Sequence, residues 1–166
     1  MTELKNIEEL FYHELQALWS AEAQLVEAMP KMMEKAKTEG LKKMLAMHLA
    51  ETKQHKVAIE AICKQFDLNP EGEFNAGLKG ILTEGETVMA KDATDEVMDA
   101  ALIAGAQKVE HYEISGYGTA AYYAEMLGHE AVAKRLRLTL EEEQQADTKL
   151  NFLAKSLVNV KAKMAS

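Results

Sequence analysis

Four stretches of this sequence carry acidic side chains, one of them with a histidine, on rows of residues that are otherwise apolar. In the first, Ile7, Phe11, Leu15, Leu18, Glu22, Leu25 and Met29 recur at i+3 and i+4 steps, so Glu22 sits midway along a helical core stripe. In the second, Met44, His48, Glu51, His55, Ala58 and Ile62 put Glu51 and His55 one turn apart on one face, able to reach a single ion together. The third row is Ile103, Ala106, Glu110, Glu113, Tyr117, Ala120, Ala124 and Leu127, and the fourth is Leu136, Leu140, Glu143, Asp147, Leu150, Ala154 and Leu157. If the four segments pack together, Glu22, Glu51, His55, Glu110, Glu113, Glu143 and Asp147 converge near mid-height.

An ionised carboxylate buried without a partner costs several kcal/mol even after relaxation, so six together would exceed the roughly 5–15 kcal/mol net stability of a domain. The stripes offer no facing row of Lys or Arg, whereas two divalent cations would supply four positive charges at one place. Oxygen-rich ligation with one imidazole suits iron, with manganese as the runner-up, better than zinc, which favours thiolate and imidazole sets in structural sites. The expected cofactor is therefore a pair of metal ions. Cys63 reads as core packing, and the ten methionines are scattered as core filler, without the clustered spacing of a soft-metal site. His48 reads as an ordinary hydrogen-bonded core histidine in preference to a donor behind the ligands, and His111 as facing solvent or a partner. His13 and His129 carry no signal. Tyr117 reads as a buried tyrosine with a satisfied hydroxyl. In Glu141-Glu142-Glu143 only Glu143 points clearly inward, the rest being a solvated face.

The elements that must hold these residues are long helices. Asn6 followed by Glu9 makes an N-cap, and the first helix starts there. Pro30 predicts a kink or break, with Gly40 closing the segment. The second helix runs from about Leu41 to Phe66, and Asp67-Leu68-Asn69-Pro70-Glu71-Gly72 is a loop. Leu78, Ile81, Leu82, Val88 and Met89 mark a short crossover helix ending near Asp92 to Asp95. The third long helix covers roughly Glu96 to Met126, stopped by Gly128, and the fourth about Glu130 to Lys161. A short link, a long connection and another short link among four helices of about 40 Å each at 1.5 Å per residue predict an all-α, ferritin-like four-helix bundle. Its extra short helix lies in the crossover between the second and third long helices.

Composition agrees. Apolar residues form 48% and aromatics 6% of 166 residues, and the dominant types are helix formers, which excludes an all-β fold. Length predicts a single domain over residues 1–166. The formal net charge of −8, with no Lys/Arg cluster interleaved with aromatics, argues against nucleic acid as a partner. The N-terminus, Met1-Thr2-Glu3-Leu4-Lys5, lacks the apolar core of a signal peptide, no apolar run reaches membrane-spanning length, and one cysteine cannot form an internal disulfide. The expectation is a cytoplasmic protein away from the membrane.

At Ser20-Ala21-Glu22, Glu51-Thr52-Lys53-Gln54-His55, Gln107-Lys108-Val109-Glu110-His111-Tyr112-Glu113, Tyr117-Gly118-Thr119 and Leu140-Glu141-Glu142-Glu143 the sequence resembles the YciE/YciF-type family of bacterial ferritin-like proteins. The resemblance spans Ile7 to about Val160. It implies a ferritin-like bundle, commonly a homodimer, linked with bacterial stress responses. More distantly the pattern is similar to rubrerythrins and other di-iron carboxylate proteins. That likeness implies Glu51 and Glu143 as bridging ligands, Glu22 and Glu110 as terminal ones, and His55, Glu113 and Asp147 completing the shells. Two departures stand out: Asp147 replaces a histidine on the fourth helix, and Glu51 and His55 are four residues apart where three is commoner. The expected function is a di-metal protein that handles oxygen or peroxide under stress. The alternative is a stress-linked structural or interaction protein with a structural or vestigial metal site.

Overall fold

The computed structural model describes residues 4–165, so the expectation on the leader at Met1 to Glu3 lies outside the described residues. The described chain is helical and contains no strand. Helix α1 spans Ile7–Lys35, α2 Glu39–Gln65, α3 Ala76–Met89, α4 Asp95–Met126 and α5 Glu130–Leu153; a wider π turn over Ala154–Val158 then leads into α6, Asn159–Met164. No helix among the described residues is long and apolar enough to cross a membrane.

Side-chain caps fix the starts of α1 and α3. The Asn6 side chain accepts from the Glu9 backbone N–H at 2.9 Å, and the Glu9 carboxylate accepts from Lys5 N at 2.6 Å, which satisfies donors left free at the start of α1. Asn75 caps α3 by accepting from Leu78 N at 2.9 Å. The same asparagine bonds Ser20 of α1 and Tyr112 of α4, so α3 is pinned along both helices. Gly128, at φ +79°, makes the tight turn between α4 and α5 with a left-handed backbone that a side chain would resist.

Three boundaries differ from expectation. Helix α1 runs through Pro30 without a break. Pro30 is exposed, so its ring faces solvent, while Leu25 and Met29 are buried and Met32 and Met33 pack on the core beyond it. One lost backbone bond is outweighed by burial on both sides. Gly40 does not close a segment but lies inside α2. The turn is made by the buried carboxylate of Asp99 on α4, which accepts from Lys37 N at 2.8 Å and Thr38 N at 2.7 Å. The last long helix is not regular to Lys161 but widens at Ala154–Val158, where Ala154 and Val158 both stay buried.

Helices α1, α2, α4 and α5 enclose a common interior: α1 packs on α2 and α4, and α5 on α4 and α2. The bundle interior has an apolar cluster at each end, and a third cluster of Ala21, Leu25, Leu78, Leu82 and Val109 forms where α3 packs on α1 and α4. One end contains Phe11, Leu15 and Leu18 of α1, Ile59 and Ile62 of α2, Tyr117 and Ala120 of α4, and Val132 and Leu136 of α5. The other end contains Leu41 and Leu45 of α2, Leu102, Ile103 and Ala106 of α4, and Leu150 of α5. Chain direction follows: α2 and α4 run from the second end toward the first, and α1 and α5 the opposite way. Between the two ends, on all four helices, lie the buried polar residues.

Candidate metal centre

Each long helix delivers its polar residues to this middle layer by helical spacing. Helix α1 brings Glu22, four residues after Leu18 and three before Leu25. Helix α2 brings His48 and His55, two turns apart; α4 brings Glu110 and Glu113, and α5 brings Glu143. Glu22 and Glu113 are fully buried, and Glu110, Glu143 and His55 nearly so.

Two groups form. In one, ligand-capable atoms of Glu22, His55 and Glu143 lie within 4.8 Å of one another; in the other, those of His48, Glu110, Glu113 and Glu143 do. Glu143 belongs to both. His55 Nδ1 is 2.9 Å from Glu143 Oε1 and 3.6 Å from Glu22 Oε1, and His48 Nε2 is 3.3 Å from Glu110 Oε1. The Tyr117 hydroxyl donates to Glu22 Oε1.

The groups fit metal ions on two grounds. Among the described residues, the buried side-chain nitrogen and oxygen atoms without a hydrogen-bond partner are, apart from Gln24 Oε1, all in this layer. They are Glu22 Oε2, both nitrogens of His48, His55 Nδ1, Glu110 Oε2, and both oxygens of Glu113 and of Glu143. Buried polar atoms are normally paired, so a concentration of orphans at one place marks a missing partner. The second ground is charge. Burial, with Glu143 alongside, lifts the Glu110 carboxyl to about 10. Burial lifts Glu22 to about 8, although His55 opposes it, and pushes Glu113 well above its ordinary 4.5. Burial alone would lower His55, but its contact with Glu143 and the nearby charge of Glu22 raise it to about 9. Burial would raise Glu143, yet His55 and His48 hold it below 4.5. In the metal-free protein, then, protons occupy the charge positions that cations would otherwise fill.

Of the seven residues expected from sequence, the structure brings together Glu22, His55, Glu110, Glu113 and Glu143. Glu51 and Asp147 lie at the edge, outside both groups. The Glu51 side chain is 37% exposed and its Oε2 is 3.8 Å from His48 Nδ1. The Asp147 Oδ1 accepts from Gln107 Nε2 at 3.0 Å and lies 3.4 Å from His111 Nε2. His48 joins the second group and makes no hydrogen bond, contrary to the expectation of a hydrogen-bonded core histidine. A signal existed: His48 and His55 are seven residues apart, the spacing that returns a helix to one face. Tyr117 is a buried tyrosine with a satisfied hydroxyl, and its partner is a candidate ligand. Glu142, expected on a solvated face, reaches His55 Nε2 at 2.7 Å. Cys63 is buried in the core, and His111 is exposed.

A family model described as a domain of unknown function, DUF892, matches residues 6–163. Protein YciF of Escherichia coli strain K12 is 41% identical over 160 residues, covering 96% of this chain and 96% of its own. The crystal structure of the E. coli stress protein YciF superposes with a TM-score of 0.89 at 41% identity, over 94% of this chain and 99% of that one. YcfI from Rhodopseudomonas palustris, described as a candidate structural protein, superposes with a TM-score of 0.86 at 37% identity, over 90% and 95% of the two chains.

Proposed function

This chain belongs to the DUF892 family, and on that premise we propose that it is a single ferritin-like four-helix bundle holding two metal ions, iron by preference, for handling oxygen or peroxide under stress. The observation that carries the proposal is the set of orphaned, buried ligand atoms on all four long helices, midway between two apolar ends. The parallel course of α2 and α4, joined by a crossover that contains α3, supports the ferritin-like arrangement.

Glu22, His55 and Glu143 would hold one ion, and His48, Glu110, Glu113 and Glu143 the other. Two imidazoles among carboxylates suit iron or manganese. Bound iron would supply the electrons for reducing oxygen or peroxide. The chain's own contribution is to release protons from Glu22, Glu110, Glu113 and His55 as cations enter. The homodimer implied by the family resemblance is part of the proposal; exposed Tyr122, Met126, Leu138 and Phe152 supply apolar surface consistent with it.

Metal analysis of protein purified from iron-grown cells tests the centre, and peroxide added to the iron(II)-loaded protein, followed by near-ultraviolet absorbance, tests the chemistry. Bound iron with an absorbance rise is expected. A protein that takes up no metal overturns the centre. Tight metal without any absorbance change would favour a structural role, the reading that the description of the R. palustris relative supports.

A further inference from the structure

The two ring nitrogens of His55 face different surroundings. Nδ1 faces the interior, 2.9 Å from Glu143 Oε1 and 3.6 Å from Glu22 Oε1. Nε2 faces the other way and lies 2.7 Å from Oε2 of Glu142, a side chain 47% exposed. Glu142 directly precedes Glu143 on α5, so the helix turns it about 100° away from its neighbour. One residue thus points into the centre and the next closes over the back of the imidazole, across the contact between α5 and α2.

A neutral imidazole carries its proton on one nitrogen and its available lone pair on the other, and a carboxylate at one nitrogen fixes which is which. With Glu142 accepting at Nε2, that nitrogen keeps its proton, so the proton given up when a cation enters leaves from Nδ1, whose lone pair then faces the ion between Glu22 and Glu143. Such carboxylate partners also set the ring's orientation and raise its basicity as a ligand.

We infer that Glu142 is the positioning residue of this centre: it holds His55 by Nε2 so that Nδ1 is presented to the ion shared with Glu22 and Glu143. The inference rests on the metal centre proposed above. It assigns a role to a partly exposed residue that is not itself among the candidate ligands. It also makes the two metal positions unequal, because His55 lies in the Glu22 group and Glu142 acts on it alone.

The test uses cobalt(II), a spectroscopic probe, titrated into the metal-free full chain of the wild type, Glu142→Leu, Glu142→Gln and the control Glu141→Leu. Thermal melts of the metal-free proteins check that each is folded. The wild type is expected to take up two ions per chain. Glu142→Leu should weaken one of them by about 10–100-fold and change its visible absorption, leaving the other position intact. Glu142→Gln, whose amide oxygen can still accept from Nε2, should stay close to the wild type, as should Glu141→Leu. If Glu142→Leu binds both ions with wild-type affinity and spectrum, the inference fails. If Glu142→Gln is as weak as Glu142→Leu, the carboxylate acts by charge and not by orientation, which also overturns it. A wild type that binds no cobalt is a different failure, since it removes the centre itself.

Discussion

Glu143 and Glu51 separate two kinds of acidic residue that look alike on a helical wheel. Glu143 is 1% exposed and shared by both ligand groups, whereas the Glu51 side chain is 37% exposed and stands outside them. Glu143→Gln should therefore cut metal uptake from two ions per chain to at most about one, and Glu51→Gln should leave two; elemental analysis after gel filtration decides. Glu113 makes a second case. Both its oxygens are buried without a partner, so without metal the residue destabilises the fold. Glu113→Leu should raise the metal-free stability by roughly 1–3 kcal/mol in urea unfolding and lower metal affinity. Equal or lower metal-free stability would mean that Glu113 has a structural partner. The sequence singled out Glu113 and Glu143 because each interrupts an apolar row. It could not grade Glu51 against His48, because both lie on the same helix face and the difference is which of them α4 and α5 approach.

At the level of elements, one connection depends on a distant side chain and not on a local turn former. The turn between α1 and α2 is held by Asp99 of α4, a carboxylate 1% exposed that accepts from Lys37 N and Thr38 N. Asp99→Ala should cost on the order of 2–3 kcal/mol in chemical unfolding, because two backbone donors lose a buried carboxylate acceptor. A cost below about 0.5 kcal/mol, the size of an ordinary surface change, would show that water replaces it. Helix existence was legible from the apolar periodicity, and the starts at Asn6 and Glu130 were legible to within a residue. The continuity of α1 through Pro30 was not, since it depends on what Leu25, Met29 and Met32 pack against.

For the whole molecule, the middle layer couples stability, protons and metal. A carboxyl that ionises near an ordinary 4.5 in the unfolded chain and at about 8 in Glu22 or about 10 in Glu110 holds its proton more tightly when folded. Its contribution to stability is complete below about 4.5 and is lost as pH rises through the folded value. His55, raised from 6.5 to about 9, acts in the same direction. Glu143, held low, acts in the opposite direction and only in acid. The metal-free protein should therefore lose thermal stability steadily from pH 5 to pH 9, and the metal-loaded protein should lose much less, because the ions replace the protons. Calorimetric melts at both pH values, with and without iron(II) under anaerobic conditions, test this; a metal-free protein more stable at pH 9 than at pH 5 would contradict it.

The sequence by itself determined the helices and the unusual content of their buried faces, because apolar periodicity and the position of a charge within it are properties of one helix at a time. It thus pointed to Glu22, Glu51, His55, Glu110, Glu113, Glu143 and Asp147, five of which meet in the middle layer. Only the tertiary structure decided which atoms share a point in space: that His48 belongs with Glu110, that Glu51 and Asp147 stand at the edge, and that Glu142 reaches the back of His55. Those outcomes depend on the rotation and offset of one helix against another, which are set by packing across the core and leave no local signature in the chain.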